Sequence, residues 1–309
     1  MKTQLTICLA WVAACTAAST PCSAEEEFSR QQLFSVIRNV EANIDPFSLP
    51  SKFKFPDNAR ASSTFGVDFS HHQEDACKCE YDWGGIYDQK VQFVYLKATQ
   101  GLSYVDPSLK TNLPRVQKTR IEAGAYHFLS SADDATAQAD FFLKTVQPFG
   151  ALKLPSSLDL EWDAGPMRDD CPNDAVIKIR KAADEVVLRC DKWSFLSADE
   201  IIERVNRWLD KVKLSEKRDP VLYTSAAWWR ARIGKRDRAK EISTPIFWVA
   251  DYSGNGLATE KPGTPPGAEW TLWQFTDAAA LPQVRSTIHI DASIFDGSID
   301  KLHSVLHVN

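Results

Sequence analysis

Two acidic side chains separated by one leucine, in Asp159-Leu160-Glu161, are the residues of this 309-residue chain whose types and spacing most directly suggest chemistry. In a β-strand residues i and i+2 share a face, so both carboxyl groups would lie together while Leu158, Leu160 and Trp162 pack on the other face. Ionising two carboxyl groups in one partly buried place costs free energy, because the two like charges repel each other. One pKa therefore rises, and that group can remain a proton donor near neutral pH. The spacing alone is also typical of a solvated strand end.

The elements that must position this pair are short apolar strands that alternate with helical segments from Phe65 onward. Such alternation predicts a parallel sheet, and eight strands predict that this α/β sheet closes into a barrel. The strands are expected at 65–70, 92–98, 122–128, 154–161, 220–224, 245–251, 271–275 and 287–291. Helices are expected at 107–119, 134–146, 173–189, 197–212 and 226–233. A capping box formed by Ser197 and Glu200 would begin the fourth helix.

Further acids stand at the ends of other predicted strands. Functional side chains of such barrels lie at the carboxyl ends of the strands. Asp68, Asp251 and Asp291 end the first, sixth and eighth strands, so they would join Asp159 and Glu161 at one rim. Each acid alone is consistent with a helix cap or a loop salt bridge. A ring of carboxyl groups beside aromatic residues is typical of a cleft that hydrolyses glycosides, where one carboxyl group protonates the leaving oxygen.

The amino-acid composition limits the kinds of molecule that the protein is expected to bind. A hydrophobic content of 44% and a charged content of 25% are those of a soluble globular protein. The net charge of −5 argues against binding to nucleic acid through phosphate neutralisation. We expect no metal, no organic cofactor and a monomer.

The first 24 residues predict an export signal, because Lys2 precedes an apolar run that is too short to cross a membrane. An alternative is lipoprotein anchoring through Cys15, which follows Val12-Ala13-Ala14. Either way the protein is expected to be secreted or periplasmic, with no integral membrane segment after removal of the signal. Residues 25–64 are predicted to form an N-terminal extension or linker, and 65–309 the barrel.

Four cysteines follow the export signal: Cys77, Cys79, Cys171 and Cys190. An even number in an exported chain favours disulfides, and no histidine at ligand spacing supports a zinc site. A straight helix at 173–189 would be about 25 Å long, whereas bonded cysteines need Cα atoms within about 7 Å. Either that helix is broken and Cys171 pairs with Cys190, or only some of the four are bonded. The sequence does not decide, and we favour the broken helix.

An ordered set of motifs between about residues 65 and 302 resembles the lysozymes of glycoside hydrolase family 25, the Chalaropsis-type N-acetylmuramidases. The motifs in chain order include Gly66-Val67-Asp68-Phe69-Ser70, Lys97-Ala98-Thr99-Gln100-Gly101, Gly124-Ala125-Tyr126-His127-Phe128, Leu158-Asp159-Leu160-Glu161, Leu222-Tyr223-Thr224-Ser225, Trp248-Val249-Ala250-Asp251-Tyr252, Trp273-Gln274-Phe275 and Asp291-Ala292-Ser293. Single motifs are weak signals, whereas the full ordered set is strong.

The resemblance implies an irregular, flattened β/α barrel of eight strands with fewer helices. It also implies cleavage of the β-1,4 bond between N-acetylmuramic acid and N-acetylglucosamine in peptidoglycan glycan strands. Glu161 matches the general acid/base, Asp159 the acid beside the substrate acetamido group, and Asp68 and Asp291 the two other catalytic acids. Glu161 should stay protonated and Asp159 should be ionised by neighbouring donors. Substrate assistance is expected, in which the acetamido oxygen attacks the anomeric carbon, and an inverting route stays open.

Five further residues are predicted to bind substrate: Gln100, Tyr126, Asp251, Tyr252 and Trp273. Tyr126 would hydrogen-bond the acetamido group or an acid, while Tyr252 and Trp273 would stack on sugars. A core position is an equal alternative for Tyr126, and it is also an alternative for Tyr252 and Trp273. Gln100 departs from the glutamate usual in the family, which would alter the pH optimum or the substrate preference.

A long insertion at 163–195 follows the acid pair and is predicted to build one wall of the groove. Two alternatives to a muramidase remain, a catalytically attenuated peptidoglycan-binding protein on the same scaffold and a hydrolase of another N-acetylated glycan such as chitin. Retention of all four acids favours activity.

Overall fold

The structure, a computed structural model, describes residues 63–77, 80–182, 185–252, 260–279, 281 and 290–308. The predicted export signal, and the extension apart from its last two residues, lie outside these ranges. No helix within them is long and apolar enough to cross a membrane.

Strands and helices alternate through most of the described chain. The strands are β1 Thr64–Phe69, β2 Val91–Gln100, β3 Tyr104–Val105, β4 Glu122–Phe128, β5 Ser157–Asp159, β6 Ala164–Pro166, β7 Val176–Ala182, β8 Glu185–Asp191, β9 Val221–Ser225, β10 Phe247–Ala250, β11 Trp270–Ala279 and β12 Ile290–Phe295. The α-helices are α1 His71–Cys77, α2 Trp83–Asp88, α3 Leu109–Val116, α4 Ala135–Val146, α5 Ala198–Glu216, α6 Ala226–Arg232 and α7 Ile299–Val305. The capping box of Ser197 and Glu200 begins α5, as predicted.

Eight strands close into a ring in the order β1, β2, β4, β5, β9, β10, β11, β12 and back to β1. The predicted eight-stranded barrel with few helices is therefore confirmed. Neighbours from β1 to β11 are parallel, but β12 is antiparallel to both β11 and β1. Only the residues between Ala279 and Ile290 join β11 to β12. That connection is too short for the crossover of a dozen or more residues that parallel pairing needs.

Alternate residues of β2 belong to two separate hydrophobic clusters. Phe93 and Tyr95 are enclosed by the strands together with Trp248, whereas Val94 and Leu96 pack with the helices. Glycines on the neighbouring strands leave room for the enclosed rings, since a Cβ at Gly66 would lie 2.1 Å from the Phe93 ring. The barrel is thus filled by aromatic side chains, and they form the floor beneath its polar mouth.

The predicted helix at 173–189 is wrong. Strands β7 and β8 form an antiparallel hairpin there, and β6 completes a three-stranded sheet, which we call the arm (Ala164–Asp191). The β-branched residues Val176, Ile177 and Ile179 fit an extended pleat better than a helix. The hairpin brings Cys171 and Cys190 within 5.9 Å between Cα atoms, and they form a disulfide. The pairing of Cys171 with Cys190 is thus confirmed, through a hairpin rather than a broken helix. The prediction for Cys77 and Cys79 depends on side chains that lie outside the described residues.

Candidate active site

A cavity of about 160 Å³ lies in the mouth of the barrel, at the end where the parallel strands finish. Four carboxyl groups and three tyrosines dominate its lining. The lining residues are Asp68, Tyr126, Ser157, Asp159, Glu161, Tyr223, Trp248, Tyr252, Gln274 and Asp291. A larger cavity of about 890 Å³, beside Leu152 and Arg218, contains none of these acids.

The strands bring the four acids together from distant parts of the chain. Asp159 is the last residue of β5 and Glu161 follows two residues later, while Leu158 and Leu160 are fully buried on the other side. Asp68 in β1 is in register with Asp291 in β12. Because β12 runs antiparallel, Asp291 reaches the mouth as the second residue of its strand, not as its last residue as predicted.

Gln274 orients one side of the cavity. Its Nε2 donates to Oδ2 of Asp68 at 2.8 Å, and its Oε1 accepts hydrogen bonds from the hydroxyls of Tyr223, at 2.8 Å, and Tyr252. The two hydroxyl donors fix the amide orientation, since only the oxygen can accept from them. Gln274 is 3% exposed, so this network is sheltered from water.

Asp68 and Asp291 behave as one proton-sharing pair. Burial raises the pKa of Asp68 to about 7, opposed by hydrogen bonds from Gln274 and Asp291, with a further increase from the charge of Glu161. Burial also raises the pKa of Asp291 well above its usual range, and the charge of Asp68 adds to this effect. Asp291 therefore keeps its proton and donates it to Asp68 in a hydrogen bond.

The pKa values of Asp159 and Glu161 are set by burial and by the charge of Lys97. Burial raises the pKa of Glu161, and it raises that of Asp159 well above its usual range, with a further increase from the charge of Glu161. The positive charge of Lys97 lowers both pKa values. Asp159 is 7% exposed, and its Oδ1 has no hydrogen-bond partner among the described residues. The donors expected to ionise Asp159 are thus not found in the described part of the chain.

Comparison with known proteins identifies the scaffold. The family model described as "Glycosyl hydrolases family 25" matches residues 67–284, which include most of the barrel and three of the four acids. The chain belongs to glycosyl hydrolase family 25.

This family 25 chain is similar to characterised relatives across most of its length. It is 28% identical to lysozyme M1 of Streptomyces globisporus over 247 residues, covering 79% of this chain and 71% of the relative. It is 27% identical to N,O-diacetylmuramidase of Chalaropsis sp, covering 77% of this chain and 96% of the relative. The crystal structure of a bacterial lysozyme from Streptomyces coelicolor superposes with a TM-score of 0.59 at 25% identity, covering 79% of this chain and 97% of the other. The chain is therefore a glycoside hydrolase.

Six of the nine predicted site residues of this family 25 hydrolase line the cavity, namely Asp68, Tyr126, Asp159, Glu161, Tyr252 and Asp291. The other three do not. Trp273 is 1% exposed in the core, and its Nε1 donates to the backbone oxygen of Asp251 at 2.8 Å. The Asp251 carboxylate accepts from the backbone N–H of Gly263 at 2.6 Å. Gln100 lies outside the lining and accepts a hydrogen bond from Lys97.

The sequence reasoning missed four residues that line the cavity: Ser157, Tyr223, Trp248 and Gln274. Strand periodicity could have found Ser157, which lies two residues before Asp159 and so shares its face. Its buried hydroxyl oxygen has no partner among the described residues. Tyr223 and Gln274 belong to two of the family motifs, but nothing in those motifs indicated that the two side chains contact each other.

The arm is attached firmly beside Glu161. The Asp163 carboxylate accepts from the backbone N–H and hydroxyl of Ser131, both at 2.8 Å, and pairs with Lys192 at 2.8 Å. The backbone N–H of Asp163 donates to Asp191 at 3.0 Å, and the fully buried Asp191 carboxylate pairs with Arg232. Both ends of the arm are thus fixed at one point, which begins two residues after Glu161.

Proposed function

We propose that this family 25 hydrolase is an exported enzyme that cleaves peptidoglycan between N-acetylmuramic acid and N-acetylglucosamine. The relatives named lysozyme and N,O-diacetylmuramidase support the substrate class. Glu161 acts as the general acid and base, and Asp159 orients the substrate acetamido group. Export is supported by the short apolar run that follows Lys2.

The observation that carries the proposal is the unpartnered Oδ1 of Asp159. A buried carboxylate oxygen without a donor is costly, so such an atom is suited to a hydrogen bond that arrives with the substrate. The N–H of an N-acetyl group is such a donor. Accepting it favours the ionised form of Asp159, and the charge then favours the protonated form of the neighbouring Glu161. Binding would thus place the proton of the pair on the residue that must donate it.

The reaction then proceeds in two steps. The Glu161 proton moves to the glycosidic oxygen as the bond from that oxygen to the anomeric carbon breaks, and the acetamido oxygen bonds to the anomeric carbon. The resulting ring carries a positive charge. Asp159 stabilises this charge by accepting a hydrogen bond from the N–H of the former acetamido group. Glu161, now a carboxylate, takes a proton from a water molecule whose oxygen displaces the acetamido oxygen. Two successive displacements retain the anomeric configuration.

Digestion of purified peptidoglycan followed by mass analysis tests the bond that is cleaved. Fragments with muramic acid at the reducing end are expected, and fragments with glucosamine there overturn the proposal. Proton NMR of the first product tests the route, because retention of the β-anomer is expected and the α-anomer identifies inversion. Chitin serves as the comparison polymer, and faster cleavage of chitin would replace the proposed substrate.

Glu161→Gln is expected to lower the rate on peptidoglycan by at least about 100-fold while binding persists, because an amide cannot donate the acid proton. Glu122→Gln is the matched control, since Glu122 starts β4 and contacts His303, away from the cavity. A Glu161→Gln rate close to that of the control would exclude Glu161 as the acid. Binding without turnover by the wild type would identify an attenuated binding protein.

A further inference from the structure

Lys97 is a buried cation at the mouth of the barrel. It is 8% exposed in β2 and is in register with Tyr126 of β4, a residue of the cavity lining. Its ammonium donates to Oε1 of Gln100 at 2.9 Å. The aromatic rings of Phe128 and Tyr104 lie 5.1 and 5.8 Å from it. All of these partners are uncharged.

No carboxylate among the described residues forms an ion pair with this ammonium. A buried charge is costly unless an opposite charge offsets it. Its Coulombic effect does reach Asp159 and Glu161, since Lys97 is the charge that opposes the effect of burial on both. The acid pair therefore supplies negative charge that offsets the charge of Lys97.

We propose that Lys97 is a positioning residue that keeps the pair of Asp159 and Glu161 singly ionised. Residue 100 is a neutral amide, so within the described residues the Lys97 ammonium has no counter-ion of its own. Residue 100 therefore sets the working pH. The effect on the pH profile of catalysis rests on the proposed function. The effect of Lys97 on the ionisation of the acid pair does not. With glutamate at position 100, Lys97 would gain its own counter-ion and the pair would feel less positive charge.

Other titratable groups face the acid pair from the surrounding elements. They are Asp68 of β1, Tyr126 of β4, Tyr223 of β9 and Asp291 of β12, and Tyr252 after β10 lines the same cavity. The charge of Asp106 acts on Tyr104, Tyr126 and His72, and the charge of Lys97 also acts on His72. Residue 100 differs from all the groups that face the pair because it adjoins Lys97 without lining the cavity.

The test compares Gln100→Glu with Gln100→Met across the pH profile of kcat/KM on peptidoglycan. Methionine has nearly the shape of glutamine, so it removes the hydrogen bond to Lys97 without adding charge. Gln100→Glu is expected to raise the pKa values of both acids. Activity is lost on the alkaline side when Glu161 loses its proton and on the acid side when Asp159 gains one, so both limbs should move to higher pH. A nearby charge typically shifts the pKa of a carboxyl group by at least about one unit, and we expect both limbs of the profile to move by that much.

Gln100→Met should leave both limbs where they are in the wild type. If the limbs moved equally in both variants, the cause would be any substitution at residue 100 and not the added charge. That result would overturn the proposal. No displacement in Gln100→Glu would overturn it as well.

Carboxyl ¹³C NMR titration of the same three proteins gives a readout that needs no turnover. The Asp159 and Glu161 resonances should titrate at higher pH in Gln100→Glu only, and unchanged titration would overturn the proposal. If the wild type fails to cleave peptidoglycan but this NMR displacement appears, the proposed function fails and the charge role of Lys97 stands.

Discussion

Replacing Asp68 with asparagine is expected to remove a large part of the pH dependence of stability. Burial raises the pKa of Asp68 from 3.8 to about 7. Between these values the folded protein holds a proton that the unfolded chain has released. The unfolded state then binds fewer protons, so the free energy of unfolding falls as pH rises through this window. A shift of about three units corresponds to about 4 kcal/mol, an upper value because the acids share protons.

Asparagine keeps the shape of Asp68 and can still accept from Gln274, but it cannot ionise. Urea unfolding at several pH values between about 4 and 7 measures the effect. Over that range the wild type should lose up to about 4 kcal/mol more stability than Asp68→Asn. Ser157→Ala, a change without charge in the same cavity, should keep the wild-type slope. Equal slopes for the wild type and Asp68→Asn would refute the reasoning.

Three further variants test the supports of the site. Gln274→Met should lower the free energy of unfolding by about 3 kcal/mol, since three buried hydrogen bonds are lost; a loss below about 1 kcal/mol in urea unfolding contradicts this. Cys171→Ala with Cys190→Ala opens a bridge across a sequence separation of 19 and should weaken the arm by up to about 3 kcal/mol. Hydrogen exchange should rise in the arm and not in the barrel, and unchanged exchange in the arm contradicts the prediction. Arg232→Met should cost about 3–5 kcal/mol because it leaves Asp191 charged, buried and unpaired, and adding Asp191→Asn should recover part of the loss; additive losses would show that the pair is not coupled.

The sequence predicted the barrel well because apolar strands and capped helices are local patterns. The helix at 173–189 was wrong for a local reason too. Its apolar residues fit helical spacing, but Val176, Ile177 and Ile179 are β-branched and the strand period competes with the helical one. The direction of β12 depends on the length of a connection, which strand patterns alone do not indicate.

Asp68, Asp159 and Glu161 were predictable because their spacing and their place near strand ends carry the signal, whereas Asp291 stands near the start of β12. The Gln274 network was not predictable, since Gln274 and Asp68 are 206 residues apart and meet only when the ring closes. In Trp273-Gln274-Phe275 the tryptophan was predicted to stack on a sugar. The strand turns both aromatic residues into the core and turns Gln274 toward the cavity.

The arm leaves and rejoins the barrel at one point, since Ala164 pairs with Asp191 and the backbone N–H of Asp163 bonds the Asp191 side chain. A segment whose two ends are neighbours can be lengthened, shortened or exchanged without shifting the register of β5 or β9. The junction between Asp163 and Lys192 is therefore a natural grafting point, two residues from Glu161. Binding modules for other polymers could be installed there by protein engineering without replacing any residue that lines the cavity.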